Sequence, residues 1–191
     1  MSPLRAPTVG ALAGGVGATT VARALHARET GRIGDAGRLP DVVVCRATMS
    51  GLALAQRPDT AGPAPAPVLA VTAVGGEPDE AVVERLAAVG AAWAGPVVLP
   101  RVAHWDVADD PHAEAAALLG SATPQTGLGR YAEELGRIVA LLTSGGRLEH
   151  DDDERDAVGA LRPARGIRIG APPVKPAPWA AFTPGAAGTA W

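Results

Sequence analysis

The residues best placed to do chemistry stand near the start of the chain: Ala13-Gly14-Gly15-Val16-Gly17-Ala18-Thr19-Thr20. They follow a short apolar run, residues 8–13, and precede residues 19–28, where Val21, Ala22 and Leu25 recur on one side of a predicted helix. Strand, glycine turn and helix in that order make a cradle for phosphate. Glycines allow positive φ and close backbone approach, and the start of the helix offers unpaired amide donors. A working cradle adds a lysine for charge and a Ser or Thr hydroxyl for magnesium. Thr19 suits the second role, but the lysine place holds Ala18, and Lys175 is the only lysine of the chain. Gly14, Gly15, Val16, Gly17, Ala18, Thr19 and Thr20 are the candidate nucleotide-binding residues, and no residue is assigned a catalytic role. Arg5, Arg23 and Arg46 are the arginines considered as substitutes for the missing lysine charge, and Asp35 as a stand-in magnesium partner.

A second cluster lies at 104–112, where His104, Asp106, Asp109, Asp110 and His112 gather beyond a predicted strand. Those residue types suit a metal or acid–base site, yet the histidines lack a known ligand spacing. Asp110 before Pro111 is also the signature of a helix cap followed by a first-turn proline. Trp105 is a candidate to stack on a base. Cys45 has two readings, a reactive thiol or a buried strand residue. The acidic run 149–156 reads as a cation or basic-partner site, or as a solvated linker.

The elements that must position these residues alternate strand and helix. Asp41-Val42-Val43-Val44-Cys45 holds a β-branched run, as in strands buried on both faces of a parallel sheet, and residues 68–74 are a second strong strand. Residues 97–102 give a further strand. Helices are predicted at 49–56, from the acidic turn at 77–80 through Val82, Val83, Leu86 and Val89, after Asp110, and over 129–143. Gly31, Gly34 and Gly37 mark a loop, and 58–67 a Pro/Ala/Gly linker. The fold class expected is α/β, a mainly parallel sheet flanked by helices, in a domain spanning 1–145. Residues 146–191, acidic and then rich in Pro, Gly and Ala, are expected to be a disordered tail. Trp179, Phe182 and Trp191 in that tail are candidate partner anchors, the alternative being that they pack on the chain's own core.

The glycine segment followed by Val21-Ala22-Arg23-Ala24-Leu25 resembles the deviant Walker A loop of the ParA/MinD partition ATPases, Lys-Gly-Gly-x-Gly-Lys-Thr-Thr. Both family lysines fall on alanines, Ala13 and Ala18. Asp41-Val42-Val43-Val44-Cys45 resembles the strand ending in the Walker B aspartate, with Cys45 in the place of that residue. Leu99-Pro100-Arg101-Val102 resembles the strand whose following loop lines the adenine pocket. The family strand between the first helix and the Walker B strand reads as shortened or missing around 31–39. The resemblance spans roughly 8–142 and implies a P-loop NTPase-like fold with its lysines and Walker B carboxylate gone. Phosphoryl transfer is mostly positioning and charge neutralisation, so it further implies little or no ATP hydrolysis.

Composition narrows the remaining options. At 191 residues with 3% aromatics, the chain supports one core built of Ala, Val and Leu. A net charge of −3 with no basic block gives no strong nucleic-acid or anionic-membrane signal. One cysteine excludes an intramolecular disulfide, and a cytoplasmic protein without membrane spans is expected. Besides a metal-dependent hydrolase built on His104, Asp106, Asp109 and His112, two functions are carried forward. One is a non-catalytic ParA/MinD-like adaptor, with a protein partner such as a true ATPase of the same system, or a homodimer, and no cofactor. The other is a weak NTPase using ATP, magnesium, Thr19 and arginine.

Overall fold

The computed structural model describes residues 4–34, 39–58, 60, 64–76, 78–120 and 128–149. Its strands are β1 (Thr8–Ala11), β2 (Arg28–Arg32), β3 (Val42–Arg46), β4 (Val68–Thr72) and β5 (Gly95–Leu99). They form one five-stranded sheet in the order β2-β1-β3-β4-β5, every pairing parallel. The helices are α1 (Ala18–Ala24), α2 (Met49–Ala55), α3 (Glu80–Gly90), α4 (Pro111–Ala117) and α5 (Gly129–Ser144). The expected α/β class with a parallel sheet flanked by helices is therefore observed.

Side-chain alternation along the central strands divides the core into two layers. Val42 and Val44 pack with Val21 of α1, with Leu25 just after it, and with Leu135, Ile138 and Leu142 of α5. Val43 and Cys45 turn the other way, toward Leu52 of α2 and Val82 and Val89 of α3. Strand β4 divides in the same manner, Val68 and Ala70 on the first side and Leu69 and Val71 on the second. Both strands are fully covered because they lie inside the sheet, which is why each reads as an unbroken apolar run. Each valine so buried contributes about 1.5–3 kcal/mol relative to exposure.

Several boundaries differ from the sequence reading. The strand between the first helix and β3, expected to be shortened or missing around 31–39, is present as β2, which begins at Arg28 and pairs with β1. All five of its residues are exposed, so it carries no apolar pattern to find. Its register against β1 shifts between Val9 and Gly10, leaving Thr30 unpaired as a bulge whose hydroxyl donates to the Val9 carbonyl at 3.2 Å. Helix α1 stops at Ala24 rather than Arg28 because His26 takes a positive φ of 48°. The His26 and Ala27 amides then close back on the Arg23 and Ala22 carbonyls at 3.2 and 2.8 Å, a Schellman end. Strand β5 ends at Leu99, ahead of Pro100, which has no amide to continue the ladder.

The amino-terminal edge of the sheet is fastened by one buried carboxylate. Asp41, just before β3, accepts from Arg5 Nη1 at 2.6 Å, Arg5 Nη2 at 2.7 Å and Arg147 Nε at 3.1 Å. It also accepts from the amide and hydroxyl of Thr8 at 2.8 and 2.9 Å. Arg147 further donates to the carbonyls of Leu39, Pro40 and Pro65. Burial pushes the Asp41 carboxyl upward, but the Arg5 guanidinium and the two Thr8 donors outweigh it and hold the group below the ordinary carboxylate range. Arg147 and Leu148, beyond the expected domain end at 145, are both buried. Trp179, Phe182 and Trp191 lie outside the described residues, as do Asp35 and all of the acidic run except Glu149.

Candidate functional site

Helix α1 carries the chain from β1 to β2 on one side, and β3 then takes up the other side of β1. Beyond the carboxyl ends of β1 and β3 the strand order thus reverses, which is where open α/β sheets form ligand crevices. The glycine loop occupies that place. Gly15 and Gly17 have φ of 69° and 84°, a region that side-chain-bearing residues enter only with strain, and Gly17 caps the start of α1. Val16 between them is buried in the first core layer and plugs the loop onto the domain.

Two strand ends hold the loop by its carbonyls. Arg46, the last residue of β3, donates to the Gly15 carbonyl from Nε at 3.2 Å and Nη2 at 2.7 Å. Thr72, the last residue of β4, donates its hydroxyl to the Val16 carbonyl at 2.9 Å and is 3.1 Å from the Cys45 carbonyl. Arg46 is itself set by the start of α2. Thr48 caps that helix through the Gly51 amide at 3.1 Å, and a Cβ at Gly51 would stand 2.3 Å from the Arg46 carbonyl, so only glycine lets α2 approach so closely.

A cleft of about 450 Å³ opens over these groups. Of the predicted loop residues, Gly15, Val16, Gly17 and Thr20 line it. The Thr19 hydroxyl instead donates to Glu29 Oε1 of β2 at 2.9 Å. Arg46, Thr72, Arg101 and Asp106 supply the polar remainder of the wall, and Trp105 and Tyr131 an aromatic side. Those two rings meet edge to face, centroids 4.9 Å apart at 75°. Tyr131 is buried, which raises its phenol above the ordinary value. Arg101 Nη2 pairs with Asp106 Oδ2 at 2.5 Å, both about half exposed.

The other sequence candidates are dispersed. Arg5 belongs to the Asp41 cluster at the opposite edge of the sheet, and Arg23 is exposed in the last turn of α1, so Arg46 is the one of the three that meets the glycine loop. Cys45 faces the α2 and α3 layer rather than the loop, and burial pushes its thiol up to about 12. The 104–112 cluster is taken up by local structure. Glu114 accepts from Trp105 Nε1 at 3.1 Å and lies 3.2 Å from His104 Nε2, while Asp110 caps α4 through the amides of His112 and Ala113 at 3.1 and 2.9 Å. Among the described residues no group of three His, Cys, Asp or Glu side chains is placed to hold a metal ion.

Magnesium-ATP belongs to the alternative weak-NTPase reading, and the donors at this cleft do not fit the metal. At the end of β3 the side chain on the loop is a guanidinium, the Thr19 hydroxyl is engaged by Glu29, and the lining carboxylate, Asp106, is paired with Arg101. Thr72, Arg101 and Tyr131 were not singled out from the sequence. The usable signal for the first two was their place at, or just past, the carboxyl end of a strand. Among the described residues no helix is long and apolar enough to cross a membrane. Compared with known protein families, curated proteins and solved structures, the chain matches none of them.

Proposed function

We propose that this chain is a non-catalytic, ParA/MinD-like protein that acts as an adaptor or regulatory subunit through protein–protein contact. The observation that carries the reading is Arg46 on the Gly15 carbonyl. Cys45, in the place where the resembling proteins have a carboxylate to hold magnesium, faces away from the loop, the loop meets the cation of Arg46 instead, and its own lysine places are Ala13 and Ala18. A site built this way lacks the metal holder and the phosphate-neutralising lysine on which phosphoryl transfer depends. The loop then serves as a rigid strand-to-helix joint, held by Arg46 and Thr72.

The adaptor role is supported by the sequence beyond the domain, where Trp179, Phe182 and Trp191 make up half of the chain's aromatic residues. Large rings are the commonest anchors in partner grooves. The partner proposed is a lysine-bearing ATPase of the same cellular system. Hydrolysis of magnesium-ATP by the purified chain tests the non-catalytic half. Turnover at background, unchanged in Thr19→Ala, is expected. Turnover above background that disappears in that variant overturns the reading.

A further inference from the structure

We infer that the cleft over the glycine loop takes a phosphate-bearing anion free of divalent metal, with Arg46 and Arg101 supplying the positive charge. This deepens the non-catalytic reading and rests on it for the position of the ligand. A cleft of about 450 Å³ lies in the range of about 300–1,000 Å³ usual for small-molecule sites. Its lining carries two arginines against the single carboxylate of Asp106, a net of one positive charge in a chain whose total is −3. The cleft is thus a cationic spot on an acidic protein, and clefts of one charge sign concentrate ligands of the other.

The two arginines are prepared for an anion in different ways. Arg46 is held by two of its N–H groups on the Gly15 carbonyl, which leaves Nη1 to meet a ligand from a side chain already ordered. Little entropy is lost when a fixed donor is used. Arg101 is held only by a half-exposed ion pair with Asp106, an interaction weak enough in water to be exchanged for a ligand oxygen. Trp105 and Tyr131 give a flat apolar wall beside these donors, suited to a ring carried by the anion. A phosphate that arrives with magnesium has part of its charge already cancelled and brings a cation beside two guanidiniums. The free anion is therefore the better ligand.

Titration calorimetry of the full chain with sodium pyrophosphate and with ATP, each in EDTA and in excess magnesium, tests the assignment. Binding in EDTA that weakens when magnesium is added is expected. Arg46→Gln, with its fold checked by circular dichroism, should weaken binding at least about tenfold, the usual scale for loss of a charge-assisted hydrogen bond. Asp106→Asn, an exposed change that spares the core, should tighten binding, and Arg101→Gln should weaken it, which keeps the test decisive if Arg46→Gln does not fold. Equal affinity for the two probes assigns the site to the phosphate group alone, and tighter ATP assigns it to a ring-bearing phosphate ester. No heat from either probe in EDTA, binding that requires magnesium, or indifference to all three substitutions overturns the inference. ATP turnover, measured separately, would refute the non-catalytic reading without touching binding in EDTA, and absence of binding would leave that reading standing.

Discussion

Replacing Asp41 by Asn removes the charge from a buried carboxylate that binds both Arg5 and Arg147. Arg147 would then lose its carboxylate while its own side chain is only 5% exposed, and Arg5 at 14% would lose a two-point partner. Breaking a buried charged pair from one side costs about 3–5 kcal/mol, because the group that stays loses its counter-charge in a medium of low polarity. Domains of this size have a total stability of about 5–15 kcal/mol, so the loss takes up a fifth or more of it. At roughly 2–4 °C per kcal/mol the melting temperature should fall by about 6–20 °C. Chemical denaturation followed by circular dichroism measures the difference directly. The acid dependence has a definite sign. The folded pKa of Asp41 is lowered, so its contribution is complete above the unfolded value near ~3.9 and is lost as pH falls through the folded value. The gap between wild type and Asp41→Asn should hold steady at neutral pH and close in strong acid. A loss below about 1 kcal/mol at pH 7, the level of an ordinary surface pair, would refute this account, as would a gap that widens on acidification.

Other expectations follow from the loop and its anchors. Gly17→Ala places a Cβ at φ of 84° and should cost about 1–2 kcal/mol, read by urea denaturation. Thr72→Val keeps the shape but removes the hydroxyl from the Val16 carbonyl, and should cost about 1 kcal/mol while weakening anion affinity in calorimetry. The Cys45 thiol, buried and pushed up to about 12, should stay unreactive toward a disulfide reagent at pH 8 in the folded protein and react at once in denaturant.

What could be read in the sequence follows from where each element sits. Val42-Val43-Val44-Cys45 and Val68-Leu69-Ala70-Val71 announced strands because both of their faces are covered, and the cap at Asp110 was legible because it is a local bond. Strand β2 read only as shortened or missing for the opposite reason. At the sheet edge Arg28, Glu29 and Arg32 need no apolar partner, and charge there discourages pairing with another chain. Cys45 drew attention by its place in a motif, yet the chemistry of the strand end passes to Arg46, since neighbouring residues on a strand face opposite layers. Arg147 was not legible at all. It meets Asp41 across 106 residues of sequence, and no local pattern records such a pairing.

The same cluster changes how this domain can begin to come apart. Loosening usually starts where a chain enters and leaves its fold. Here the Arg5 amide donates to the Leu148 carbonyl at 3.1 Å, and Asp41 binds both arginines beside that bond, so the two strands of chain are moored to each other as well as to the sheet. Neither can peel away alone without giving up its charged hydrogen bonds to Asp41. Fraying is thereby moved from the ends of the body to its exposed flank at β2, where the ladder is interrupted by a bulge and no side chain is buried.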